Sequence, residues 1–194
     1  MGNLGQPQPP LPEPTAALIR CISKHAPCVV VLLGPPGAGK STLAKVLTDQ
    51  LGNRTATLSY AAHRAEVSGD PADPAADPMA GTLLRERLAD RSAAGLTTIV
   101  DGTHHLARTR AALLAIAAES SLPAVAAVLS TPLEVCLARQ RDRPPHEPGK
   151  QHSLRVPEPQ VRTLDRAIHE ARPDLAREGF IVHILGPDAT AGTR

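Results

Sequence analysis

Residues 28 to 42 carry the densest chemistry in the chain. An apolar, β-branched run from Cys28 to Leu33 feeds directly into Gly34-Pro35-Pro36-Gly37-Ala38-Gly39-Lys40-Ser41-Thr42, which has the spacing G-x-x-x-x-G-K-S. Glycines at those positions let the backbone curl until successive N–H groups point inward at a phosphate. A lysine directly after the last glycine reaches the β- and γ-oxygens, and the serine hydroxyl is a hard oxygen ligand for Mg²⁺. These choices together read as a phosphate-binding loop. A carboxylate completes the set. Thr97-Thr98-Ile99-Val100 are four sheet-forming residues, and Asp101 closes them at a strand's carboxyl end, where an acid can hold Mg²⁺ or its water. Capping the helix that starts near Leu106 explains Asp101 less well, because Thr103 is better placed for it. Ser41 and Asp101 are expected to bracket one Mg²⁺ bridging the β- and γ-phosphates, which is equipment for phosphoryl transfer.

Such groups need a sheet to hold them, and the chain alternates strand and helix accordingly. After the first strand the spacing predicts a helix from about Ser41 to Gln50, a short strand at Thr57 to Ser59, and helical spacing from Met79 to Ala94. Then come the strand Thr97 to Val100, a helix over Leu106 to Ser120, the strand Val125 to Leu129, and helices over Pro132 to Arg141 and Val161 to Arg172. Phe180 to Leu185 is the last strand. Between Ser68 and Pro78 the Asp- and Pro-rich sequence is expected to be neither helix nor strand. The pattern predicts an α/β fold, a doubly wound parallel sheet with ligands at the carboxyl ends of its strands. It also predicts a single domain over residues 16 to 187, without internal repeats. The opening residues 1 to 15, with prolines at 7, 9, 10, 12 and 14, are expected to form a disordered polyproline-like tail, and 188 to 194 a second tail.

Bulk properties exclude more than they assert. The 194 residues suit one domain with a buried core, and a net charge of +2 does not announce a nucleic-acid surface. Cys21, Cys28 and Cys136 are odd in number and lack metal-ligand spacing, which argues against a disulfide framework or a zinc site and for a reducing, cytoplasmic setting. No stretch approaches the roughly 20 apolar residues that a membrane span requires, so no membrane partner is expected.

From Cys28 to Leu185 the chain resembles the small phosphate-loop kinases related to 5′-hydroxyl polynucleotide kinase, of the AAA-type ATP-binding group. The resemblance rests on Gly34 to Ser41; on Ser59 to Asp70, with Arg64 before Val67-Ser68-Gly69-Asp70; and on Ile99-Val100-Asp101-Gly102-Thr103-His104 with Arg110. Further on it rests on Pro132 to Arg139, followed by Arg141 and Arg143, and on Arg177-Glu178-Gly179-Phe180. It implies ATP held by Gly34, Gly37, Ala38, Gly39, Lys40, Ser41 and Thr42, with Lys40 and Asp101 in catalytic roles and Mg²⁺ on Ser41 and Asp101. It implies further that Arg139 and Arg143 belong to a lid, about 139–160, that closes over the phosphates, and that Arg64 contacts the acceptor.

Two positions depart from the family pattern. Ala61 stands where the family has the aspartate that accepts the proton of the attacking hydroxyl, so the general base is open; His63, Asp70, Asp73 and Asp77 are the possible substitutes. His104 stands where Asn is usual, and it can hydrogen-bond a substrate in Asn's place. Beside it, His105 points elsewhere whether strand or turn holds the pair, which argues against a two-histidine metal site. The reading is therefore a phosphotransferase using ATP and Mg²⁺. Its acceptor is a nucleic-acid 5′ end, as the resemblance implies, or a small molecule, as one Phe, one Tyr and no Trp to stack on bases suggest. A nucleotide-binding protein or ATPase without transferase activity is the third alternative, against which the lid arginines argue.

Overall fold

The computed structural model describes residues 11–144 and 155–186. Five parallel strands, β1 (Val29–Leu33), β2 (Thr55–Ser59), β3 (Thr97–Asp101), β4 (Ala124–Leu129) and β5 (Ile181–Leu185), form one sheet in the order β2-β3-β1-β4-β5. The central strands β1, β3 and β4 are buried along their whole length, which is why they read as unbroken apolar or Thr-Val runs instead of alternating ones. Their side chains alternate between two cores. Val30, Leu32, Ile99 and Val125 pack with helices α1 (Glu13–His25), α2 (Lys40–Leu51) and α6 (Leu133–Arg141). Val29, Val31, Leu33 and Val100 pack on the other face with α4 (Asp77–Ala93) and α5 (Ala107–Glu119). This is the doubly wound α/β sheet that the alternation of elements predicts. Helices α7 (Glu158–Ala171) and α8 (Leu175–Glu178) complete the chain.

Strand order reverses at β1, whose neighbours are β3 and β4, so the crevice for a ligand opens at the carboxyl ends of β1 and β3. The phosphate loop leaves β1 there and Asp101 closes β3 there. In the β2/β3 register Ser59 lies opposite Asp101, which sets the start of helix α3 (Tyr60–Ser68) level with the carboxylate.

Two local expectations are corrected, and one helix falls where none was assigned. Helix α1 begins at Glu13, so the expected tail stops short of residue 15; Pro14 fits the first turn because its missing N–H has no intrahelical partner to lose, and Leu18 and Ile22, four apart, are fully buried. Residues 1–10 and 188–194 of the expected tails lie outside the described residues. The segment 60–68 is a helix, capped by Gly69 at φ +80°, although its apolar spacing is weak. The Asp- and Pro-rich stretch is more ordered than its composition suggests. Asp70 and Asp73 accept from the N–H groups of Ala72 and Ala75, Pro74–Ala76 form a 3₁₀ turn, and α4 starts at Asp77 instead of Met79.

Candidate active site

Helix α2 begins on the lysine of the phosphate loop, so the free N–H groups of its first turn face the same space as the loop's own. Lys40 Nζ donates to the carbonyls of Gly34 and Pro35 at 2.8 and 2.9 Å, which folds the ammonium back over the loop. Burial pushes its pKa down to about 8; the Asp101 carboxylate opposes that shift and Arg143 adds to it. Gly37, at φ +91°, lies against α6. A Cβ there would fall 2.6 Å from the Cys136 carbonyl oxygen, so only glycine lets α6 approach this closely. Ser41 Oγ donates to Asp101 Oδ2 at 2.7 Å. A hydroxyl and a carboxylate brought together from residues sixty apart form a hard oxygen pair, and that donor set suits Mg²⁺.

Beyond Asp101 the chain takes a strained path. His104 has φ +46° and is buried; its Nδ1 donates to the Leu32 carbonyl at 2.7 Å, which leaves Nε2 as an acceptor. Burial drops its pKa to about 4, so the imidazole is neutral. Arg110, also buried, holds this turn: Nη1 donates to the His104 and His105 carbonyls at 3.0 and 2.8 Å, and the rest of the guanidinium forks onto Glu178, before β5. Nδ1 of His105 lies 3.2 Å from Thr103 Oγ1, so the two neighbouring imidazoles take different partners.

One cavity of about 520 Å³ joins these groups to the start of α3 and the loop before α4. Lys40, Ser41, Asp101 and Arg143 border it on one side; Tyr60, Ala61, Arg64 and Asp77 border it on another. Arg64 Nε donates to the Pro71 carbonyl and Nη1 to Asp77 Oδ1, both at 2.7 Å. Asp77, unlike Asp70 and Asp73, borders this cavity. His63 does not. It is buried, with Nδ1 donating to the Ser59 carbonyl and Nε2 3.4 Å from Arg87, which is itself clamped on Glu66, so the structure removes it as a substitute base.

A second cavity of about 580 Å³ lies across the phosphate loop and shares Gly37, Gly39, Thr42 and Arg143 with the first. The two arginines expected in a lid are placed differently. Arg143 borders both cavities, and burial lowers its pKa. Arg139 borders the second alone and donates from Nη1 to the Gly37 carbonyl at 3.0 Å. The expected lid is helical at both its ends, in α6 and α7, and its middle, 145–154, lies outside the described residues.

Sequence reasoning missed several members of the site. Leu11, Pro12 and Thr15 border the second cavity, although their composition reads as tail. Thr131, which donates to the Ala38 carbonyl at 2.9 Å, has no motif of its own. The pairing of Arg110 with Glu178 spans 68 residues, and only the shared resemblance of both segments hinted at it.

The family model described as an AAA domain matches residues 29–170. No curated protein matches the chain. Among solved structures, a chain of the Pnkp1/Rnl/Hen1 RNA repair complex superposes with a TM-score of 0.64 at 16% identity, covering 77% of this chain and 46% of that one. A chain of the PezAT chromosomal toxin–antitoxin system of Streptococcus pneumoniae superposes with a TM-score of 0.61 at 13% identity, covering 95% and 81%. The chain thus spans less than half the length of its RNA-repair neighbour, and at these identities both likenesses speak to the fold. Among the described residues no helix is long and apolar enough to cross a membrane.

Proposed function

The chain belongs to the AAA domain family, and from that membership we propose that it is an ATP-dependent phosphotransferase that moves the γ-phosphate of ATP to a hydroxyl acceptor. The observation that carries this reading is the Ser41–Asp101 contact of 2.7 Å beside Lys40, in a cavity that continues to Arg64 and Asp77. A pure nucleotide binder has no use for that continuation; a transferase needs room for a second substrate in line with the donor.

In this reading the N–H groups from Gly37 to Thr42 and the Lys40 ammonium hold the β- and γ-phosphates. Ser41 Oγ and the Asp101 carboxylate would hold Mg²⁺, which supplies charge neutralisation on the bridging oxygens when bound. Arg143 sits where the two cavities meet and stabilises charge on the leaving β-phosphate. The nucleobase takes the second cavity, between the Arg139 guanidinium and the apolar wall of Leu43 and Val46. Arg64 faces the acceptor.

A nucleic-acid 5′-hydroxyl is the first acceptor class, on the family motifs around Arg64 and Asp101. A second class, a small uncharged or zwitterionic hydroxyl compound, is favoured by the pairing of Arg64 with Asp77 and by Tyr60 as the cavity's sole Phe, Tyr or Trp side chain. Turnover of γ-labelled ATP against 5′-hydroxyl DNA and RNA, nucleosides and a metabolite extract tests the proposal. A labelled acceptor identifies the class, whereas ATP bound with Mg²⁺ and never cleaved would overturn it.

A further inference from the structure

Transfer to a hydroxyl releases a proton, and the cavity must receive it. Two carboxylates border that space, Asp101 and Asp77. Asp101 accepts from Ser41 and belongs to the phosphate side. His104 borders the space too, but its Nε2 is buried and its Nδ1 is held on the Leu32 carbonyl, and His63 lies away from the cavity. Asp77 differs from all three. Its side chain is 54% exposed at the cavity's rim, and its Oδ1 is fixed by Arg64 Nη1. Arg64 lies one helical turn after Ala61 on α3, so the guanidinium that orients Asp77 rises from the face that carries Ala61, and both border the same space.

We propose that Asp77 is the proton acceptor for the attacking hydroxyl, supplied from the start of α4 instead of from position 61, with Arg64 as its positioning residue. The inference rests on the phosphotransferase reading. The acceptor oxygen forms its bond to the γ-phosphorus as the bond from that phosphorus to the β,γ-bridging oxygen breaks. The hydroxyl proton passes to Asp77 Oδ2, ADP leaves with the bridging oxygen, and Asp77 returns the proton to water through its exposed edge. A base on α4 instead of α3 also explains how an alanine can stand at 61: the small side chain leaves the acceptor's path to Asp77 open.

The test compares wild type, Asp77→Asn, Asp77→Asn/Ala61→Asp and His105→Asn. It measures single-turnover transfer from γ-labelled ATP to a 5′-hydroxyl oligonucleotide and to water, alongside ATP affinity by calorimetry. Asn keeps the shape and an oxygen for Arg64 while losing the basic site. Asp77→Asn is expected to lower the rate about 100-fold and to leave ATP affinity within about 2-fold. Asp77→Asn/Ala61→Asp should recover about 10-fold of that loss, which a merely structural role for Asp77 would not allow. If wild type cleaves ATP and Asp77→Asn keeps a third or more of its rate, the inference is overturned while the phosphotransferase reading stands; a large loss in His105→Asn alone passes the role to that imidazole. If wild type binds ATP and moves its phosphate to no oligonucleotide, nucleoside or compound of the metabolite extract, nor to water, the phosphotransferase reading itself falls.

Discussion

The two sides of the cavity are built by different means. On the side proposed for phosphate the candidate binding groups are backbone N–H donors of a loop and a helix start, plus one lysine and one serine adjacent in sequence; a strand register brings up Asp101. On the side proposed for the acceptor the pieces are single side chains from α3, the loop before α4 and α4 itself, joined by an ion pair thirteen residues apart. A phosphate presents the same oxygens in every nucleotide, so its cradle can be made of main chain and fixed glycines. An acceptor varies, and side chains on short helices can be exchanged without disturbing the sheet. Ala61 shows that latitude, while Gly37, with 2.6 Å to the Cys136 oxygen, shows how little the other side has.

Damage to the phosphate side should therefore be severe whatever the acceptor. Lys40→Ala removes the ammonium that folds back over the loop. At roughly 1.5–3 kcal/mol for each charge-assisted hydrogen bond, two such bonds to phosphate correspond to about 100-fold or more in affinity. Calorimetry should show that loss and labelled ATP should show no turnover; unchanged affinity would remove the distinction between the two sides. Arg143→Ala touches the boundary where both cavities meet. Its expected effect is about 100-fold on kcat with a much smaller rise in the KM for ATP, because a contact to developing charge acts in the transition state. Equal changes in both constants would move Arg143 to the binding machinery.

What was legible in the sequence follows the same division. Gly34 to Thr42 and Asp101 could be read because loop, helix start and strand end are contiguous patterns, and the hydrophobic runs of β1, β3 and β4 follow from burial on both faces. Helix α3 was not legible, since its 60–68 sequence buries only His63 and shows no apolar stripe. Asp77 was one of four candidates for proton acceptance. Neither its composition nor its spacing separates it from Asp70 and Asp73, which serve turns; only the fold turns Arg64 toward it. Helix α1 was hidden by the prolines before and within its first turn.

A titration sharpens the comparison further. Burial holds Lys40 down to about 8 in the free protein, and bound phosphates favour its charged form, so binding takes up a proton above that pH. Affinity is lost as pH rises through 8 and is flat below it. The dissociation constant for Mg·ATP should weaken about 10-fold between pH 7 and pH 9, by linkage to one proton. The acceptor side contributes nothing to this curve, so Asp77→Asn should reproduce it. A curve that is flat to pH 9.5 would mean that Lys40 keeps its ordinary basicity.

The smallest effect belongs to the position that departs most visibly from the family. If the cavity lacked any base, Ala61→Asp would supply one beside Arg64 and raise transfer to a 5′-hydroxyl oligonucleotide about 10-fold or more. With Asp77 already seated on Arg64 at 2.7 Å, a second carboxylate one helical turn from that arginine competes for the same guanidinium. It also adds like charge near the γ-phosphate, at a cost on the order of 1 kcal/mol. Gain and cost then nearly cancel, and Ala61→Asp should change the initial rate at saturating ATP and Mg²⁺ by about 3-fold or less. The same substitution should help only where Asp77 has been neutralised. A 10-fold rise in the wild-type background would show that the acceptor side is short of a base, and that Asp77 is there to hold Arg64.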